Sequence, residues 1–86
     1  MKTAVVTGAS SGIGQSVAEK LLDMGFFVYG LARDFSKSTI RHDSFVSVSC
    51  DLTDTARLVE SIQHIRQQSR DIHVLVNNAG IGLFGP

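Results

Sequence analysis

The chain has 86 residues, of which 43% are hydrophobic and 19% are charged, the proportions of an ordinary globular domain. Its eight basic and eight acidic residues cancel, and no run of like charge stands out, which argues against nucleic acid or an anionic membrane as the main partner. No apolar run approaches the roughly 18 residues that a membrane span needs.

Cysteine usage and the first residues bear on the compartment. Cys50 is the only cysteine, so no intrachain disulfide can form, which is typical of a reducing environment. The start, Met1-Lys2, leads directly into strand-like residues without the apolar segment and cleavage site of a secretory signal. We therefore expect a cytoplasmic protein.

The first elements are a strand, a glycine-rich turn and a helix. Residues 3–7 form a short β-branched run that predicts a buried strand. From Gly12 to Met24, apolar residues recur with the spacing of one buried helix face. These residues are Ile13, Val17, Ala18, Leu21 and Leu22. Gly25 then ends the helix.

The pattern continues with two more strands, a helix and a last strand. Residues 26–32 and 45–50 predict buried strands, separated by a polar loop over 33–44. Thr53 or Asp54 can cap a helix that runs to about Ser69. Its apolar residues are Leu58, Val59, Ile62 and Ile65. A fourth strand follows over 72–76. This order predicts an α/β fold with a parallel sheet and right-handed crossovers.

Three glycines separate the first strand from the first helix, with the spacing Gly-x-x-x-Gly-x-Gly. Gly8 permits a tight turn, Gly12 lets the backbone approach a ligand, and Gly14 lets the helix pack closely on the strand. The unpaired amides at the helix start favour a pyrophosphate, and Ser10 and Ser11 add hydroxyl donors. The absence of Gly-Lys-Ser/Thr excludes a P-loop. A glycine-rich turn without a ligand is the alternative.

Three motifs resemble those of the short-chain dehydrogenases/reductases, in their compact single-domain subtype: TGASSGIG at residues 7–14, CDLT at 50–53 and NNAG at 77–80. They occur in the family's order, each at the end of a predicted strand. The resemblance covers essentially all 86 residues, as the N-terminal part of one NAD(P)-binding Rossmann domain. It implies a three-layer αβα fold whose first four strands have the order 3-2-1-4, and reversible hydride transfer between NAD(P) and an alcohol or carbonyl.

The resemblance also implies residue roles. Asp51 would accept a hydrogen bond from the adenine amino group, with Leu52 beside the ring; the alternative is that Asp51 only caps the second helix. Asn77 would tie the fourth strand to its neighbours. The predicted cofactor site consists of Gly8, Ser10, Ser11, Gly12, Ile13, Gly14, Arg33, Asp51, Leu52, Asn78, Ala79 and Gly80.

Arg33 indicates which cofactor is preferred. Rossmann sites that prefer NAD have Asp or Glu at the end of the second strand, whereas this chain has Ala32 followed by Arg33. A guanidinium can hold a 2′-phosphate with two hydrogen bonds, so we predict NADP(H) over NAD(H). The alternative is that Arg33 is a solvated loop cation, partly neutralised by Asp34.

The family's catalysis requires a Tyr, a Lys four positions later, a Ser and an Asn. Tyr29 is the only tyrosine and position 33 is Arg, so we predict no catalytic residue in this chain and no turnover by it alone. The complete protein would act on a small alcohol or carbonyl compound and form a homodimer or homotetramer. His42, His64 and His73 have no partner at metal-ligand spacing, so no metal site is expected.

Three other classes of protein compete with this interpretation. One is a non-catalytic dinucleotide-binding module. Another is an S-adenosylmethionine methyltransferase, against which the pair Ala32-Arg33 argues, because that class usually has an acid at the end of the second strand. The third is an extended-subtype epimerase or dehydratase, whose glycines are typically spaced Gly-x-x-Gly-x-x-Gly.

Overall fold

The computed structural model describes residues 2–10, 12–68 and 71–77. Within them, strands alternate with helices except between the second and third strands, where a loop makes the connection. The strands are β1 (Thr3–Thr7), β2 (Phe27–Ala32), β3 (Phe45–Ser49) and β4 (Val74–Val76). The helices are α1 (Gly12–Asp23) and α2 (Thr55–Gln68).

The strands form one parallel sheet in the order β3-β2-β1-β4, which confirms the predicted order 3-2-1-4. β1 lies inside the sheet and is buried along its whole length. In its register Val5 is opposite Tyr29 of β2 on one side and Leu75 of β4 on the other. A fully buried, β-branched strand is what a parallel sheet with two covered faces requires.

Side chains alternate between the two faces of the sheet, and each face packs against one helix. On the α1 face, the buried core consists of Ala4, Val6, Ala9, Ala18, Leu21, Leu22, Val28 and Ile40. On the α2 face, it consists of Val5, Tyr29, Leu31 and Ile65. The three-layer αβα architecture is therefore confirmed.

Helix α1 buries the face that its spacing predicts, with one exception. Ala18, Leu21 and Leu22 are buried, but Ile13 is 73% exposed. The prediction of a buried Ile13 is wrong because the first turn of α1 follows the end of β1 and lies at the edge of the sheet. The helix ends in a Schellman motif, in which the amide of Gly25 donates to the Leu22 carbonyl oxygen at 3.0 Å.

Helix α2 is less buried than its sequence predicts. Of its apolar residues only Ile65 is buried, and Val59 is 46% exposed. Asp54 caps the helix, since its Oδ1 accepts from the Arg57 amide at 3.2 Å and its carbonyl oxygen accepts from the Leu58 amide at 3.0 Å. Among the residues described, no helix is long and apolar enough to cross a membrane.

Candidate functional site

The candidate site lies where β1, β2 and β3 end, at the carboxyl edge of the sheet. The turn after β1 is attached to the end of β2, because the Gly8 amide donates to the Leu31 carbonyl oxygen at 2.7 Å and the Ala9 amide reaches the same oxygen at 3.4 Å. In open parallel sheets this edge is where ligands bind, at the point where strand order reverses. The turn is therefore held in place at the position expected of a binding loop.

The glycines of the turn have the backbone that the sequence predicts. Gly8 and Gly12 have φ angles of 67° and 59°, in the left-handed region that favours glycine. A Cβ built on Gly12 would meet no atom within 4 Å, so the protein leaves open space over this backbone. Gly14 is buried in α1, and the exposed Ile13 lies between the two helical glycines.

Arg33 follows β2 directly, and its backbone is held by β3. The Cys50 amide donates to the Ala32 carbonyl oxygen at 2.9 Å, and Ser49 Oγ donates to the Arg33 carbonyl oxygen at 3.1 Å. The Arg33 guanidinium is accessible to a ligand from solvent, since the side chain is 76% exposed. Its Nη2 lies 3.9 Å from Asp51 Oδ1, an ion pair between two exposed groups, which is a kind of contact that contributes little to stability.

Asp34 does not pair with its neighbour Arg33. Its Oδ1 accepts from the backbone amide of Ser36 at 2.8 Å. That amide, followed by the Ser36 hydroxyl, lowers the pKa of Asp34 below its ordinary value. The carboxylate is thus engaged within its own loop, whereas Arg33 pairs with Asp51.

Asp51 lies outside α2 and does not cap it. Its Oδ1 accepts from the Thr53 amide at 3.0 Å and from the Thr53 hydroxyl at 2.6 Å. These two bonds, the hydroxyl first, lower the pKa of Asp51, and the charge of Arg33 adds a smaller effect in the same direction. Leu52 is partly buried and packs against the core of the α2 face. The alternative that Asp51 serves only as a helix cap is wrong, because Asp54 has that role.

The Thr7 side chain links the end of β1 to the end of β4, a contact that the sequence motifs do not indicate. Thr7 Oγ1 lies 3.1 Å from Asn77 Oδ1 and 3.3 Å from the Val76 carbonyl oxygen, and can donate to either. Asn77 therefore has the structural role that the sequence predicts. Ser11, Asn78, Ala79 and Gly80 lie outside the described residues. Ser10 is partly buried in the turn.

The three histidines take partners within the fold. His73 Nδ1 accepts from the Thr3 amide at 3.3 Å, and His42 Nδ1 accepts from the Ser44 amide at 3.0 Å. His64 Nε2 lies 3.2 Å from the side-chain nitrogen of Gln68. In residues 2–10, 12–68 and 71–77, no group of three or more His, Cys, Asp or Glu side chains is arranged to hold a metal ion.

Fold and site together define a Rossmann-like α/β protein with a glycine turn at the end of its first strand. The short chain dehydrogenase family matches residues 2–86, and the chain belongs to this family. The predicted family is confirmed.

Known proteins with similar sequences and structures are reductases and dehydrogenases. The NADPH-dependent 3-dehydrocapnine reductase of Ornithobacterium rhinotracheale is 35% identical over 100% of this chain, which covers 32% of that protein. Serine 3-dehydrogenase of Rhizobium radiobacter is 34% identical over 94% of the chain, which covers 34% of that enzyme. Ligand-free aldohexose dehydrogenase of Thermoplasma acidophilum superposes with a TM-score of 0.79 and 40% identity, over 93% of this chain and 30% of its own. The chain thus spans about a third of the length of these relatives.

Proposed function

We propose that this chain binds the adenosine and pyrophosphate part of NADP(H) within an oxidoreductase. In the complete protein, the cofactor would exchange a hydride with a small alcohol or carbonyl compound. Membership of the short chain dehydrogenase family supports the reaction class, and the name of the relative from Ornithobacterium rhinotracheale supports the phosphorylated cofactor. The identity of the substrate is not part of the proposal.

The observation that carries the cofactor preference is the environment of Arg33. An NAD site needs a carboxylate here to accept from the ribose hydroxyls, and the nearest one in sequence, Asp34, is bonded to the Ser36 amide instead. Arg33 is exposed, and its contact with Asp51 is long enough to be given up at little cost. A guanidinium in this state suits a 2′-phosphate, which it can grip through two charge-assisted hydrogen bonds.

The other residues fit the same ligand from end to end. The open backbone at Gly12 suits the pyrophosphate, as do the first amides of α1, which have no partner within the helix, with Ser10 and Ser11 as further donors. Asp51 would accept from the adenine amino group, with Leu52 beside the ring. The predicted contacts of Asn78, Ala79 and Gly80 with the nicotinamide end belong to the same proposal. The nicotinamide supplies the hydride chemistry.

The test compares dissociation constants for NADPH and NADH by titration of nucleotide fluorescence. Replacement of Arg33 by Ala should weaken NADPH binding by about 10- to 100-fold, the value of hydrogen bonds to a charged group, and leave NADH binding unchanged. Arg41→Ala is the matched control, because Arg41 is also exposed in the 33–44 loop but its guanidinium donates to the Ile40 carbonyl oxygen. An unchanged NADPH/NADH ratio in Arg33→Ala would refute the preference.

A non-catalytic binding module is the second candidate function, and the position of Tyr29 favours it for this chain alone. Tyr29 is the only tyrosine in the sequence, is buried in β2, and has its hydroxyl 3.4 Å from Gln68 Oε1 on the α2 face. Its hydroxyl is therefore engaged at the last residue of α2, whereas Asp51 precedes the first turn of that helix. Oxidation of NADPH by the 86-residue polypeptide with carbonyl substrates would exclude this candidate, and binding without turnover would support it.

Two further expectations concern the complete protein. We propose that it is cytoplasmic and assembles as a homodimer or homotetramer, as the family resemblance implies. Sedimentation of the complete protein at micromolar concentration tests the assembly, and a monomer would contradict it.

A further inference from the structure

We infer that Thr53 is a positioning residue for the adenine end of this site. It holds the Asp51 carboxylate through Oδ1 and leaves Oδ2 to accept a hydrogen bond from the adenine amino group. The inference rests on the proposed nucleotide site, because it assigns the orientation of one of that site's groups.

The geometry places both donors of one residue on one oxygen. The Thr53 amide and hydroxyl reach Asp51 Oδ1 at 3.0 and 2.6 Å. Rotation of the carboxylate about its last side-chain bond would break both bonds, so the group is held in one orientation although the side chain is 50% exposed. No hydrogen bond within the described parts of the chain reaches Oδ2.

The neighbouring residues leave Thr53 free for this role. Helix α2 begins at Thr55, and the side chain of Asp54 caps it by accepting from the Arg57 amide. The start of the helix therefore does not need the Thr53 hydroxyl. Asp54 is also joined to the backbone of the turn, since its amide donates to the Asp51 carbonyl oxygen at 3.0 Å. The turn is thus ordered by backbone bonds, and the Thr53 side chain has the carboxylate as its partner.

The same oxygen also faces Arg33, whose Nη2 lies 3.9 Å away. Fixing Oδ1 through Thr53 separates the functions of the two carboxylate oxygens. Oδ1 is engaged by Thr53, whether or not Arg33 keeps its contact, and Oδ2 remains as an acceptor. Asp51 is ionised at neutral pH, as an ordinary aspartate is, and acts only as an acceptor; the two Thr53 bonds, which lower its pKa, favour the same form. The exocyclic amine of adenine is a hydrogen-bond donor and therefore requires such an acceptor.

The test uses two nucleotides that differ only at this amine. NADPH carries adenine, and its unsubstituted-purine analogue carries a hydrogen atom at C6 in place of the amine. The wild-type protein should bind NADPH more tightly than the purine analogue. Thr53→Val, which removes the hydroxyl at nearly constant volume, should reduce this preference by about two- to tenfold, the range of one hydrogen bond. Thr53→Ser, which keeps the hydroxyl, should retain it.

A merely structural role for Thr53 gives a different result. If Thr53→Val weakens both nucleotides equally, or leaves the preference unchanged, the inference is overturned while NADP(H) binding stands. A wild-type protein without any preference for adenine overturns it as well. Binding of neither nucleotide by the wild type refutes the proposed function, and the inference with it.

Two checks separate positioning from misfolding. In an Asp51→Ala background, Thr53→Val should not change the nucleotide preference further, because the group it positions is gone. In the ligand-free protein, the pKa of Asp51 measured from carboxyl carbon shifts should rise in Thr53→Val and stay low in Thr53→Ser. An Asp51 pKa that does not respond to Thr53→Val contradicts the hydrogen bonds on which the inference rests.

Discussion

The ring of Phe45 lies directly against the backbone of Gly30. A Cβ built on Gly30 would be 2.6 Å from Phe45 Cζ and 2.9 Å from the Cβ of Ala9. Glycine is therefore required in the middle of β2 for a packing reason: it admits a ring from β3 and a methyl group from the turn after β1. This contact joins the candidate nucleotide turn to the core of the α1 face.

Gly30→Ala should destabilise the protein by about 1–3 kcal/mol, the usual cost of forcing extra atoms into a packed core. The free energy of unfolding from urea titration measures it. Phe45→Leu should recover part of the loss in the double variant, because it shortens the side chain that the new methyl group meets. Additive losses in the two variants would show that the contact is not the cause.

Gly12→Ala should affect nucleotide binding far more than stability. Its left-handed φ of 59° costs an L-residue roughly 1–2 kcal/mol, and the added methyl group would occupy the open space where we propose that the pyrophosphate binds. Gly25→Ala is the matched control, since Gly25 has a φ of 92°, also has open space around it, and lies at the other end of α1. Both variants should lose similar stability, and only Gly12→Ala should lose NADPH affinity in a fluorescence titration. Equal affinities would place the ligand elsewhere.

Thr7→Val should loosen the attachment of β4. The hydroxyl that reaches Val76 and Asn77 is lost at nearly constant volume, which should cost about 0.5–1.5 kcal/mol of unfolding free energy. Hydrogen exchange of the β4 amides should accelerate. Thr39→Val serves as the control, because the Thr39 hydroxyl accepts an exposed bond from Gln15. Equal effects of the two substitutions would contradict a special role for Thr7.

Asp34 should stabilise the protein in a pH-dependent way. Its pKa is lower in the folded protein than the ordinary value of 3.8, chiefly because of the Ser36 amide, so the folded state favours the ionised form. Its contribution is present above the unfolded pKa and is lost as the pH falls through the folded pKa. The difference in unfolding free energy between wild type and Asp34→Ala should be constant above about pH 5 and shrink below it. A difference that does not vary between neutral and acidic pH would be incompatible with this bond.

Apolar patterning and the glycines after β1 and α1 predict the order of the elements, and the family resemblance implies the order of the strands in the sheet. Bounds differ by a few residues: β2 begins at Phe27 and β4 at Val74, where the predicted strands begin at 26 and 72. Helical spacing predicts a buried Ile13, yet this side chain is exposed, because periodicity does not show where a helix projects past the sheet.

The site is predictable as a set of positions but not as a set of contacts. Glycine spacing locates the turn, the end of the second predicted strand locates Arg33, and the resemblance locates Asp51. Two contacts, Asp34 with Ser36 and Arg33 with Asp51, could not be predicted. They depend on the course of the loops that follow the neighbouring strands β2 and β3. A Thr two residues after an Asp is a recognised turn pattern, so the Thr53 bond could have been anticipated from local sequence.

The strand order has a consequence for synthesis. β1 is translated before β4, which pairs with one of its two edges. Thr3 and His73 exchange hydrogen bonds at that edge and are 70 positions apart in the sequence. Closing so long a loop carries an entropic cost before the contacts form. On the ribosome, β1 can therefore pair only along its β2 edge until residues 74–76 have emerged from the exit tunnel.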